Sequence, residues 1–149
     1  MLNLAINTYI HILCIMVVIS CIVVERISIK PKIKWKTLLM LLRLDGLYGF
    51  AAIVVVTTGL LNWMQFGKGY EYYATNSIFI LKFTLFIIVG LLSIYPTVSF
   101  FKYKKRHRKD PPEEVNIPNV TYLKWAINAE LILMAIIPLL ATLMANGFG

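Results

Sequence analysis

Few side chains in this sequence can do chemistry beyond packing, and the most informative of them sit inside apolar runs. From Ile78 to Phe101 the only fully charged residue is Lys82. A cation at bilayer depth costs roughly 2.5–3.5 kcal/mol on insertion scales, so a compensating partner is expected beside it. His11 stands in a second apolar run, where His11, Cys14, Val18, Cys21 and Glu25 recur at three- and four-residue spacing. That spacing places them on one helical face, and a face so polar should turn into a bundle rather than towards lipid. Neutral imidazole is a common ligand for iron and other transition metals. A deprotonated lysine amine also carries a lone pair. A histidine and a lysine on separate helices at one depth could therefore hold a metal between them. The plainer alternatives are a Lys82 stem that snorkels outward to water or headgroups and a His11 that is only a hydrogen-bonded packing residue.

The elements that must position these residues follow from hydropathy. The chain has 149 residues, of which 59% are hydrophobic, and its mean hydropathy is +0.75. The apolar residues fall in four blocks, at about 5–24, 44–64, 77–101 and 126–145. Each is long enough to cross a hydrocarbon core of about 20 helical residues. The expected fold is all-α, an integral membrane four-helix bundle forming one transmembrane domain over 1–149, with connections at 25–43 and 102–125. A cleaved leader is a poor account of the first block. No basic residue precedes it, no small-x-small site follows it, and its charges come after it.

The net charge of +8 is explained by its placement. The first connection carries Arg26, Lys30, Lys32, Lys34 and Lys36. The third carries Lys102, Lys104, Lys105, Arg106, Arg108, Lys109 and Lys124. The second has only Lys68, balanced by Glu71. The positive-inside rule puts the first and third connections in the cytoplasm. Both termini then lie on the outer, periplasmic side of the cell's inner (plasma) membrane. The basic residues are expected to meet anionic lipid headgroups, not nucleic acid. Cys14 and Cys21, seven residues apart on one helix, cannot bridge each other and suit small apolar packing. Pro111, Pro112 and Pro118 break helix in the third connection and set a solvated loop.

With that topology, the helical rise of about 1.5 Å per residue puts His11 roughly 9 Å and Lys82 roughly 8 Å below the outer boundary. Glu25, Arg43, Asp45 and Glu130 form a second polar layer near the inner face, where opposite charges would neutralise each other. Gly49, Ala52 and Gly59 fall near one face of the second helix, as tight packing requires. Phe50, Phe79, Phe83 and Phe86 could wall a macrocycle, although aromatic residues at helical spacing are more often core. Pro96 and Pro138 are expected to kink their helices. Trp63, Tyr70, Tyr72 and Tyr73 form a candidate aromatic belt at the outer interface.

The order of these features resembles the superfamily of HemJ-type protoporphyrinogen oxidases and CopD-like membrane proteins. The likeness is carried by His11 within Tyr9-Ile10-His11-Ile12, Lys82 within Phe79-Ile80-Leu81-Lys82-Phe83, and Asn128-Ala129-Glu130 opening the last helix. A closer likeness is to an uncharacterised family of small bacterial membrane proteins in that superfamily. It rests on Arg43-Leu44-Asp45-Gly46-Leu47-Tyr48-Gly49, Gly67-Lys68-Gly69, Leu92-Ser93-Ile94-Tyr95-Pro96-Thr97 and the tail from Met144. Ile80 stands where the oxidases tend to have a histidine, and Ala129 separates an Asn/Glu pair that is adjacent in them. The resemblance implies a bundle that binds haem b, with His11 as an axial ligand and Lys82 as a second ligand or close companion. Such a protein would oxidise a porphyrinogen or pass electrons to a quinone or redox partner. In the porphyrinogen reaction, Asp45 or Glu130 would accept protons. The alternatives are a copper or small-ion path through His11, Cys14, Cys21 and the acidic layer, and a non-catalytic scaffold. A homo-oligomer is compatible with any of these.

Overall fold

Four apolar stretches give four helices: α1 (Leu2–Ser28), α2 (Trp35–Leu61), α3 (Ser77–Arg106) and α4 (Val120–Ala145). The computed structural model describes residues 2–66 and 76–148. Gly67, Lys68, Gly69, Glu71 and the belt candidates Tyr70, Tyr72 and Tyr73 lie outside the described residues. All four helices are long and apolar enough to cross a bilayer, and a helix satisfies its backbone groups internally, as hydrocarbon demands. Phe50 and Ile53 are each about two-thirds exposed on the outer surface of the bundle. A water-soluble domain rarely exposes so much contiguous apolar surface. Here it is the lipid-facing belt of a multi-pass membrane protein.

The closest-packed pairs are α1 with α2 and α3 with α4, with narrower seams between α1 and α4 and between α2 and α3. Beyond Leu61, α2 continues as a π-helical segment, Asn62–Phe66. Asn76 caps α3, its side-chain oxygen accepting the Phe79 N–H at 2.9 Å. At the end of α4, Gly147 takes φ +89°. Its N–H reaches the Met144 carbonyl, and the Phe148 N–H reaches that of Leu143. This is a Schellman closure, for which glycine is the residue without steric cost.

Both long connections hold more structure than loops. β1 (Lys32–Lys34) and β2 (Glu114–Asn116) pair antiparallel, with Ile33 opposite Val115 and Lys34 opposite Glu114. The alternation Lys-Ile-Lys against Glu-Val-Asn sends Ile33 and Val115 to the buried side and the polar residues outward. An isolated two-stranded ribbon is marginal in water. This one is held by a small core of Ile29, Leu38, Leu41, Ile117 and Leu123, all buried. The same core explains why α2 starts at Trp35 and α4 at Val120, ahead of the apolar blocks. Lys36 and Arg43 stand exposed on the added turns of α2, and Lys102 and Lys104 on those at the end of α3, while one face of each stays apolar. A hydropathy window registers only the hydrocarbon portion of such a helix. Tyr122 and Trp125 are exposed at the same end, where an interfacial aromatic belt would sit.

Candidate functional site

α1 and α3 enter the bundle from the end opposite the ribbon, which brings His11 and Lys82 to a common level. Both line one cavity of about 150 Å³. α2 contributes Val55, Gly59 and, from the π-helical segment, Trp63; α4 contributes Met134 and Pro138. The α3 wall is Phe79, Phe83 and Phe86, spaced so that one helical face is aromatic. Phe50, expected in that wall, instead points to lipid. Trp63, expected in the belt, turns inward and meets Phe79 at a centroid distance of 5.3 Å. It does so from the π turn, a local widening of the helix that often marks functional sites.

The contacts of Thr58 favour the His11 tautomer protonated at Nδ1. The Thr58 hydroxyl has a single proton and donates it to the Val54 carbonyl at 2.7 Å, with the Val55 carbonyl at 3.2 Å. Its oxygen is therefore an acceptor for His11 Nδ1–H at 2.8 Å. That leaves Nε2 as the lone-pair nitrogen of a side chain lining the cavity. An outer hydrogen bond of this kind is the usual way a metal-ligating histidine is held in orientation. One turn earlier on α1, Asn7 donates to the Thr58 carbonyl at 3.0 Å and to Asn62 Oδ1 at 2.9 Å, pinning α1 to α2. Gly59 completes the seat. A Cβ there would lie 3.4 Å from His11 Cε1, so the α2 backbone packs directly against the imidazole ring. The tight approach is confined to this point, since Gly49 has nothing within 4 Å of its Cβ position.

Lys82 is half-buried, and its Nζ lies 5.1 Å from the centroid of the Phe79 ring. Phe83 stacks behind Phe79 at 6.4 Å. Attraction to a ring face belongs to an ammonium group. Among the described residues Lys82 has no carboxylate in ion-pair range.

The acidic candidates lie elsewhere. Glu25, Asp45 and Glu130 are buried towards the ribbon end, Glu25 lying about 21 Å along α1 from His11. Between the two levels each helix contributes a buried apolar residue: Val18, Ala51, Val89 and Met134. Asp45 and Glu130 therefore do not reach the cavity. The expected neutralisation by Arg43 is also absent, because Arg43 is exposed on the outside of α2. Asp45 instead meets the Thr97 hydroxyl at 2.6 Å. Asn128 accepts from Arg26 Nε at 2.5 Å, joining α1 to α4 beside the acidic layer. Cys14 and Cys21 are free thiols packed into the core.

The residues that sequence reasoning missed are Thr58, Asn7, Asn62, Met134 and Pro138. Asn7 had a signal, lying one turn before His11 on the same face. Thr58 had a weaker one, as half of a Thr-Thr pair in an apolar run. Met134 and Pro138 had none, because the sequence does not say which face of α4 meets α2 and α3.

A four-helix membrane bundle with a histidine and a lysine from separate spans on one apolar cavity defines the class of protein. Residues 3–149 match the family described as "Predicted membrane protein (DUF2214)", and the chain belongs to that family. No curated protein and no solved structure matches it.

Proposed function

We propose that this protein is a haem b-binding redox protein of the cell's plasma membrane, related to the HemJ-type oxidases and CopD-like proteins. What carries the reading is His11 Nε2, a lone-pair nitrogen oriented through Thr58 and lining an apolar cavity that Lys82 also lines. Among the described residues no three His, Cys, Asp or Glu side chains converge as a metal-ion cage. Among the described residues lining the cavity, Met134 is the one soft sulfur ligand and no cysteine is present, which disfavours a copper path. A porphyrin brings its own equatorial nitrogens and asks the protein for one or two axial donors, which this site has. The cavity, at about 150 Å³, is below the roughly 300–1,000 Å³ of sites for drug-sized ligands. Seating a macrocycle therefore requires the narrow α2–α3 seam to part, or one ring edge to stand in lipid.

Haem b would supply one-electron chemistry, taking electrons from a reduced substrate such as a porphyrinogen and passing them to a quinone or redox partner. The residues of this chain orient and seat it. His11 would supply a nitrogen ligand, Thr58 would hold that imidazole in orientation, and Phe79, Phe83 and Phe86 would keep the pocket dry. Lys82 Nζ lies over the Phe79 ring, a contact that attracts an ammonium group, so we assign it to a carboxylate of the ligand rather than to the iron.

Optical titration of haem b into the detergent-purified protein tests these roles. Lys82→Met is expected to weaken binding about 10- to 100-fold, the loss of a charge-assisted hydrogen bond, with the Soret position unchanged. A shifted Soret band would instead make Lys82 a ligand. Thr58→Val is expected to weaken haem binding about 10- to 100-fold, with Thr58→Ser restoring it. Equal loss in both Thr58 variants would show that the hydroxyl is not what orients His11.

A further inference from the structure

The acidic layer towards the ribbon end poses a charge problem that the cavity does not solve. Glu25 and Glu130 are 95% and 97% buried, with exposures of 5% and 3%. One oxygen of each, Oε1, is buried with no hydrogen-bond partner. The charges of Asp45 and Glu130 act on Glu25, and that of Asp45 acts on Glu130. Among the described residues, the groups packed around them add no cation. α1 contributes the Cys21 thiol, α2 the Tyr48 phenol, and α3 the Ser93 and Thr97 hydroxyls. Arg26, the nearest basic residue in sequence, gives its Nε to Asn128, and Arg43 points away. Three buried carboxylates cannot all stay ionised side by side without a cation, because burial and like charge each penalise the charged form. The described residues form no metal-ion cage there either.

We propose that Glu25, Asp45 and Glu130 form a proton-binding site that holds protons at neutral pH and exchanges them with water at the ribbon end of the bundle. The exit is short. Glu25 lies within one turn of the end of α1, and Arg26 and Asn128 beside it make their contact at the surface. The cavity side is closed by the apolar layer of Val18, Ala51, Val89 and Met134. This inference stands apart from haem binding and survives its failure.

Infrared difference spectroscopy of the full chain in phosphatidylcholine–phosphatidylglycerol vesicles, without added haem, tests it. Wild type is expected to show the carbonyl stretch of protonated carboxyls at neutral pH. That band should shift in D₂O and vanish on stepping to alkaline buffer. Glu25→Gln and Glu130→Gln should each remove one component. A neutral-pH spectrum with ionised carboxylates alone overturns the proposal, and wild type decides this even if a variant fails to fold. A band that never shifts in D₂O overturns the exchange. Stoichiometric metal retained through chelator and gel filtration overturns it in favour of a cation site.

Discussion

Protein carrying His11→Ala, purified from haem-replete cells, is expected to hold at least about 10-fold less haem b than wild type. Removing even an outer-sphere partner of a ligand typically costs 10–100-fold, and this change removes the axial nitrogen itself. The cost to the fold should be small. One hydrogen bond, His11 Nδ1 to Thr58 Oγ1, is worth about 1 kcal/mol net, and Asn7 still ties α1 to α2. Circular dichroism and gel-filtration profiles should therefore match wild type while the Soret band disappears. Equal haem content in the two proteins would remove His11 from the site.

The second large effect lies at the ribbon end. Leu38→Ala should destabilise the protein by about 2–5 kcal/mol, the range for truncating a buried leucine, because Leu38 is 0% exposed within the core beneath the ribbon. That core sits beyond the apolar blocks, so water competes for its side chains and the hydrophobic effect operates in full. Ile53→Ala is the control. Ile53 is 66% exposed on the lipid face, and lipid solvates it almost as well as protein does. Denaturant-induced unfolding in mild detergent should separate the two variants clearly. Equal losses would mean that the ribbon core adds nothing particular to stability.

These two sites also mark what the sequence discloses and what it hides. Four spans were legible because hydrocarbon imposes length and composition directly on a helix. The shared level of His11 and Lys82 was legible because both helices run in the same direction and rise is constant per residue. The ribbon was hidden because Lys32–Lys34 and Glu114–Asn116 are three-residue strands whose pairing spans most of the chain. The Thr58 contact was hidden because depth fixes a residue's level but not its rotation about the helix axis. Rotation also governs the acidic layer. Arg43 and Asp45 differ by two residues, about 200° of helix, so one faces out while the other is buried.

The most direct test of the account is the haem content of wild-type protein purified from haem-replete cells, read as a pyridine haemochrome against protein concentration. The account predicts haem b in a one-to-one ratio with the chain. A colourless protein that also fails to bind added haem b would contradict it.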